Sequence, residues 1–215
     1  MKPDALLLTG PTGSGKTPLG RMLEKKGLWN RRCVHFDFGK ILRDAANGKA
    51  NHILTKPEKA AVREALRSGV LLENETFPVA RKLFMEFCRV GSVRDQDLVI
   101  LNGLPRHIGQ AEDMEALVRI RALAVLECPE QAVKLRIQTN SGGDRSGRAD
   151  DTEEAVSDRL KRYRERTAPL IEYYRKKMIP VWKFPVGAGT AAGEIRIRMQ
   201  SDEKLKQTLV QGDPV

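Results

Sequence analysis

Gly10-Pro11-Thr12-Gly13-Ser14-Gly15-Lys16-Thr17 is the part of the sequence whose residue types and spacing most directly specify chemistry. It fits G-x-x-x-x-G-K-[ST], a loop that holds a polyphosphate. Such a ligand packs several negative charges into a few ångströms. Glycines let successive backbone N–H groups turn inward, the following helix presents its N-terminus to the anion, and Lys16 adds a full positive charge. The flanks suit this task. Ala5–Leu8 is a short apolar run of the kind that forms a buried strand, and Leu19, Met22 and Leu23 recur at helical spacing behind the loop. A second set of groups suited to phosphate is the scattered arginines Arg43, Arg106, Arg136, Arg148 and Arg159, whose planar forks bind phosphate oxygens two at a time.

The elements that must position these groups are legible in outline. Strand patterns fall at Ala5–Leu8, Cys33–Phe36, Leu98–Leu101, Ala122–Glu127 and Val181–Val186. Helical patterns lie near 16–26, 39–46, 57–67, 75–90, 109–119, 129–139, 152–177 and 191–208. This alternation predicts an α/β fold with a doubly wound, five-stranded parallel sheet flanked by helices, as in phosphate-loop NTPases. Segment 38–78 is a helical excursion from that core. Asn140-Ser141-Gly142-Gly143-Asp144-Arg145-Ser146-Gly147, bracketed by Arg136 and Arg148, is either a short lid or an ordinary surface connection.

Composition narrows the class. The chain has 215 residues, 40% of them hydrophobic and 31% charged, which suits one α/β domain with inserted subdomains. No apolar stretch approaches the roughly 18–20 residues that span a bilayer. The run at Ala5–Leu8 is too short for a secretory signal, so a cytoplasmic setting is expected. Cys33, Cys88 and Cys128 are odd in number and lack metal-ligand spacing, and His35, His52 and His107 form no cluster, so no structural zinc is expected. The net charge of +10 calls for anionic partners, either nucleotides or nucleic acid. Much of it lies in Lys161–Arg166 and Arg175–Lys177, which read as a solvated helical face.

Several segments, in order, resemble the adenylate kinase family of nucleoside monophosphate kinases over nearly the whole chain. Leu98-Val99-Ile100-Leu101-Asn102-Gly103-Leu104-Pro105-Arg106, followed by Gln110, is similar to that family's strand ending in Asp-Gly-Phe-Pro-Arg with a downstream glutamine. Arg148-Ala149-Asp150-Asp151-Thr152-Glu153-Glu154 through Arg159-Leu160 is similar to its Arg-x-Asp-Asp-x-Glu-Glu…Arg-Leu segment. Thr167-Ala168-Pro169-Leu170-Ile171-Glu172-Tyr173-Tyr174 resembles its Thr-x-Pro-Leu-Ile-x-Tyr-Tyr helix. The resemblance implies transfer of the γ-phosphoryl group of ATP to a nucleoside monophosphate, most simply AMP, by a monomer that uses Mg²⁺ and needs no membrane or nucleic acid. It divides the chain into a core (1–37, 79–139 and 149–215), a monophosphate-binding insertion (38–78) and a short lid (140–148).

Residue by residue, the resemblance implies that Lys16, Arg106, Arg148 and Arg159 are catalytic. ATP falls to Gly10, Thr12, Gly13, Ser14, Gly15, Lys16, Thr17, Pro18, Arg136 over the base, Asn140 and Thr190. The monophosphate falls to Phe38, Arg43, Leu72, Gly103, Arg106, Gln110, Arg148 and Arg159. Tyr173 and Tyr174 read as packing residues.

The departures from the pattern concern charge. Asn102 replaces an aspartate that helps organise Mg²⁺, and Thr17 stands where glycine is usual, so Thr17 is the candidate metal ligand with Asn102 or Asp37 acting through water. Phe38 replaces threonine, Lys40 replaces aspartate, and Asn140 replaces an arginine that Arg145 can supply instead. The altered acceptor pocket (Phe38, Lys40, Leu104) also fits a monophosphate other than AMP. Two other readings use the same loop: a tRNA-modifying transferase, since Gly10–Thr17 with Asp37 also resembles tRNA prenyltransferases, and an RNA-associated ATPase, for which Asn102 is the motive.

Overall fold

A computed structural model describes residues 2–50, 52–68, 76–145 and 152–210 of the chain. Five strands form one parallel sheet: β1 (Asp4–Thr9), β2 (Cys33–Asp37), β3 (Leu98–Asn102), β4 (Arg119–Glu127) and β5 (Val181–Pro185), in the order β2-β3-β1-β4-β5. The strands are aliphatic because both faces of the sheet are covered, and successive residues point to opposite sides. Leu7, Phe36, Val99, Leu101 and Leu123 pack on one face, while Leu6, Leu8, Ile100, Ala124 and Leu126 pack on the other. The first face is covered by α2 (Phe38–Ala46), α3 (Lys56–Ser68), α4 (Phe77–Val90), α5 (Ile108–Glu115) and α8 (Pro169–Lys176). The second is covered by α1 (Lys16–Lys26), α9 (Ala192–Gln200) and α10 (Glu203–Val210). Helices α6 (Glu130–Gln138) and α7 (Glu153–Arg162) pack together through Val133, Val156 and Leu160.

Three elements differ from the sequence expectation. The helix expected at 109–119 ends at Glu115 because β4 begins at Arg119, where Arg119 reaches Asp4 of the neighbouring strand at 2.7 Å. The helix expected at 152–177 is interrupted by a π-helical turn at Tyr163–Thr167. Pro169 has no N–H for the α-helical ladder, and Ala168 N–H instead donates to the Tyr163 carbonyl at 2.8 Å. The helix expected at 191–208 breaks at Ser201–Asp202, where Asp202 Oδ1 accepts from Leu205 N–H and caps α10. The carboxyl ends of β1, β2 and β3 place Thr9, Asp37 and Asn102 together at one edge of the sheet, where open α/β sheets bind ligands.

Candidate active site

The phosphate loop leaves β1 and enters α1 through backbone conformations that favour glycine. Gly10, Gly13 and Gly15 have φ of 148°, 74° and 94°. A Cβ on Gly10 would lie 2.7 Å from the Leu126 carbonyl oxygen and 2.8 Å from Ser14 Oγ. Gly15 caps α1 without a side-chain hydrogen bond, so the first N–H groups of the helix are left to the loop cavity. Lys16 Nζ folds back over the loop, donating to the Gly10 carbonyl at 2.7 Å, the Pro11 carbonyl at 2.6 Å and Ser14 Oγ at 3.3 Å. Burial pushes Lys16 down to about 7, and the positive charges of Arg106 and Arg145 add to the shift.

Around the loop lies a cleft of about 250 Å³, open to solvent. Lys16, Arg43, Arg106, Arg145, Arg159 and Arg162 line it, against two carboxylates, Asp37 and Asp144. Arg106 folds over Gly103, where φ is 86° and a Cβ would lie 3.2 Å from Arg106 Nη2. Thr167 Oγ1 donates to the Arg106 carbonyl at 2.8 Å, and Gln110 Oε1 accepts from Arg106 N–H at 2.7 Å. Both ends of the Arg106 backbone are therefore fixed. Burial lowers the affinity of its guanidinium for the proton, Arg162, Arg159 and Arg43 add to that effect, and Asp37 opposes it. Four arginines this close repel one another, an arrangement that a shared polyanion relieves.

On the other side, Asn140 (φ 48°) turns the chain at the end of α6, and its Oδ1 accepts from Arg145 N–H at 3.1 Å. This brings Arg145 Nη2 to 3.5 Å from Thr12 Oγ1, beside the phosphate loop. Segment 140–145 also lies on Pro18, since a Cβ on Gly142 would sit 2.8 Å from Pro18 Cγ. Arg136 is buried; its Nε donates to the Gly13 carbonyl at 3.0 Å and its Nη1 to the carbonyls of Gly187, Ala188 and Thr190 at 2.9–3.1 Å. It thereby clamps the phosphate loop to the connection between β5 and α9.

The cleft draws together Gly10, Thr12, Gly13, Gly15, Lys16, Thr17, Arg43, Gly103, Arg106 and Arg159 from the expected set. Ser14 is fully buried under the loop. Phe38 lies instead in an aromatic group, its ring 5.8 Å from that of Phe36, and is 3% exposed. Gln110 is buried beside Arg106, and Lys40 pairs on the surface with Asp44 at 2.6 Å. Leu72 and Arg148 lie outside the described residues. The cleft also contains Arg162 and Tyr163, from a stretch read in sequence as a solvated face, and Thr167, from the start of the Thr-x-Pro-Leu-Ile-x-Tyr-Tyr segment. The spacing of Arg162 three residues after Arg159 places both on one helical face and was the available signal. Arg164 does point outward, toward Glu130 at 3.4 Å.

The model for the adenylate kinase family matches residues 8–179. The chain belongs to the adenylate kinase family. Named relatives include the adenylate kinase of Bacteroides thetaiotaomicron, 32% identical over 80% of this chain and 85% of the relative. That of Thermus thermophilus is 31% identical over 80% and 84%, and that of Prochlorococcus marinus 28% over 79% and 82%. As a member of the adenylate kinase family the chain is a phosphotransferase of the nucleoside monophosphate kinase type. Among the described residues no helix is long and apolar enough to cross a membrane, and no group of three or more His, Cys, Asp or Glu side chains is placed to hold a metal.

Proposed function

We propose that this protein transfers the γ-phosphoryl group of ATP to AMP, giving two ADP. The observation that carries this reading is the two-sided cationic cleft, with Lys16 and Arg145 on the phosphate-loop side and Arg43, Arg106, Arg159 and Arg162 opposite. Among the described residues the lining carries six basic groups against two carboxylates, an excess of positive charge that suits two anionic nucleotides. Phosphoryl transfer needs positioning and charge stabilisation rather than a nucleophilic side chain, and no such nucleophile is required here.

In this reading, ATP lies on Gly10–Pro18 with Lys16 on its outer phosphates. Arg136 and Thr190 border its base, and Asn140 presents Arg145. The monophosphate is held by Arg43 and Arg106, with Gly103, Leu72 and Gln110 near its base. Arg148 and Arg159 bridge the two nucleotides. Segment 38–78 acts as the monophosphate-binding insertion and 140–148 as the lid, which excludes water that would otherwise accept the phosphoryl group. The reading takes the protein to act as a monomer.

The residues present suit Mg²⁺ that arrives with ATP. Hydroxyl and carboxylate oxygens meet at the loop, Thr17 Oγ1 lying 2.9 Å from Asp37 Oδ2, with no cage of protein ligands among the described residues. Thr17 would hold the cation, with Asp37 or Asn102 acting through water. When bound, the cation neutralises donor phosphate charge.

The test is ADP formation from ATP with a panel of AMP, CMP, UMP, GMP and the deoxy forms. The AMP assignment predicts clear preference for AMP. A preference for another monophosphate would move the acceptor while keeping the reaction. ATP loss that is independent of any acceptor would favour the ATPase reading instead.

A further inference from the structure

Two departures from the family pattern, Thr17 and Asn102, are 85 positions apart in sequence and touch in space. Asp37 and Asn102 end adjacent strands and are register partners. Thr17 stands between them and the phosphate loop. A hydroxyl has one proton and two lone pairs. The Thr17 proton goes to Asp37 Oδ2 at 2.9 Å, and one lone pair accepts from Asn102 Nδ2 at 3.0 Å. The second lone pair remains for a cation. Asn102 Nδ2 also lies 3.4 Å from His35 Nε2, so its amide nitrogen is the end turned to both neighbours. His35 is wedged against Gly20, where a Cβ would come within 2.2 Å of Nε2.

We infer that Asp37 is the carboxylate that anchors the hydrated Mg²⁺ accompanying ATP, with Thr17 as its direct protein ligand and Asn102 as a positioning donor. This deepens the kinase reading and rests on it. Asn102 meets the hydroxyl with N–H rather than with an acceptor and brings no negative charge, so it does not do the work of an aspartate. Asp37 does bring that charge, one strand over. Its other oxygen accepts from Lys40 N–H at 3.0 Å and caps α2, which fixes the carboxylate at the rim of the cleft. The chain has thus moved the charge from the end of β3 to the end of β2, and the hydroxyl of Thr17 fills the position between.

The experiment measures ATP affinity calorimetrically in excess Mg²⁺ and in chelator; the ratio of the two is the cation's contribution. Asp37→Asn keeps a capping oxygen for α2, and a general loss of folding lowers both affinities and leaves the ratio alone. The ratio is expected to fall about tenfold or more in Asp37→Asn, as for other groups that hold a metal's ligands. It is expected to recover in the exchanged variant Asp37→Asn/Asn102→Asp. An unchanged ratio in Asp37→Asn, or a fall with no recovery on exchange, overturns the inference. Failure of the wild type to phosphorylate any monophosphate would defeat the kinase reading alone, because the ATP ratio would still decide this one.

Discussion

Gly20→Ala separates two opposed effects at the base of the site. In the middle of α1, alanine in place of glycine normally stabilises by about 1 kcal/mol, because it restricts the unfolded chain. Here the added Cβ would lie 2.2, 2.4 and 2.5 Å from His35 Nε2, Cδ2 and Cε1. An ordinary carbon contact is about 3.5 Å, so the ring must move by more than about 1 Å. His35 is 9% exposed, lies beside Asn102, and its backbone N–H is held by Glu24 Oε1 at 3.1 Å, which leaves little room to yield. Overpacking costs about 1–3 kcal/mol, and with three ring atoms this close the cost falls at about 2–3 kcal/mol, so the net effect is a loss of about 1–2 kcal/mol. For a domain of this size that is a drop in Tm of about 3–6 °C. In a His35→Ala background the obstruction is gone, and the same Gly20→Ala change should raise Tm instead. Thermal unfolding of the four proteins in the cycle gives a coupling of about 2–3 kcal/mol. A rise in Tm for Gly20→Ala in the wild-type background would refute the packing of His35 on α1, and with it the wedge that orients Asn102.

Other expectations follow from the same geometry. Lys16 is pushed down to about 7 in the folded protein, against 10.5 in the unfolded chain, so between those values the unfolded chain binds more protons and this group makes the nucleotide-free protein more stable as pH rises. ATP phosphates restore the charge, and calorimetry in buffers of different ionisation enthalpy should detect proton uptake just above pH 7; uptake equal in Lys16→Met would contradict this. Arg136→Ala strips donors from carbonyls of the phosphate loop and the β5–α9 connection and should lower stability by about 3 kcal/mol in urea unfolding. Arg136→Lys should recover less than half, since an ammonium cannot span both segments; full recovery would show that the bridge is not needed. Arg162→Ala removes a positive charge from the cleft wall beside Arg106 and should raise the monophosphate KM about tenfold while leaving the ATP KM within about twofold. Equal effects on both substrates would place Arg162 elsewhere.

Much of this was legible in the sequence for a physical reason. The phosphate loop needs backbone shapes that favour glycine, and a sheet covered on both faces needs continuous aliphatic strands, so both leave a mark in residue type. Arg162 left a weaker one. A basic run on a helix is usually solvated, and which of its members turns inward depends on helix phase and on the π turn ahead of Pro169. Phe38 was expected beside the acceptor base, but four phenylalanines, Phe36, Phe38, Phe84 and Phe87, gather in the core and hold it there. Gln110 can donate and accept, yet its oxygen is used on the Arg106 backbone. The proximity of Asp37 and Asn102 required the sheet order, since only the pairing of β2 with β3 makes them neighbours.

The central claim is that two anionic nucleotides meet in one cationic cleft and pass a phosphoryl group directly between them. Phosphorus NMR of the wild-type protein with Mg²⁺, ATP and AMP tests it, because the spectrum follows each phosphate by its chemical form. The account predicts that ATP and AMP disappear together, that ADP is the only product, and that ATP alone is stable. Inorganic phosphate accumulating from ATP whether or not AMP is present would contradict it.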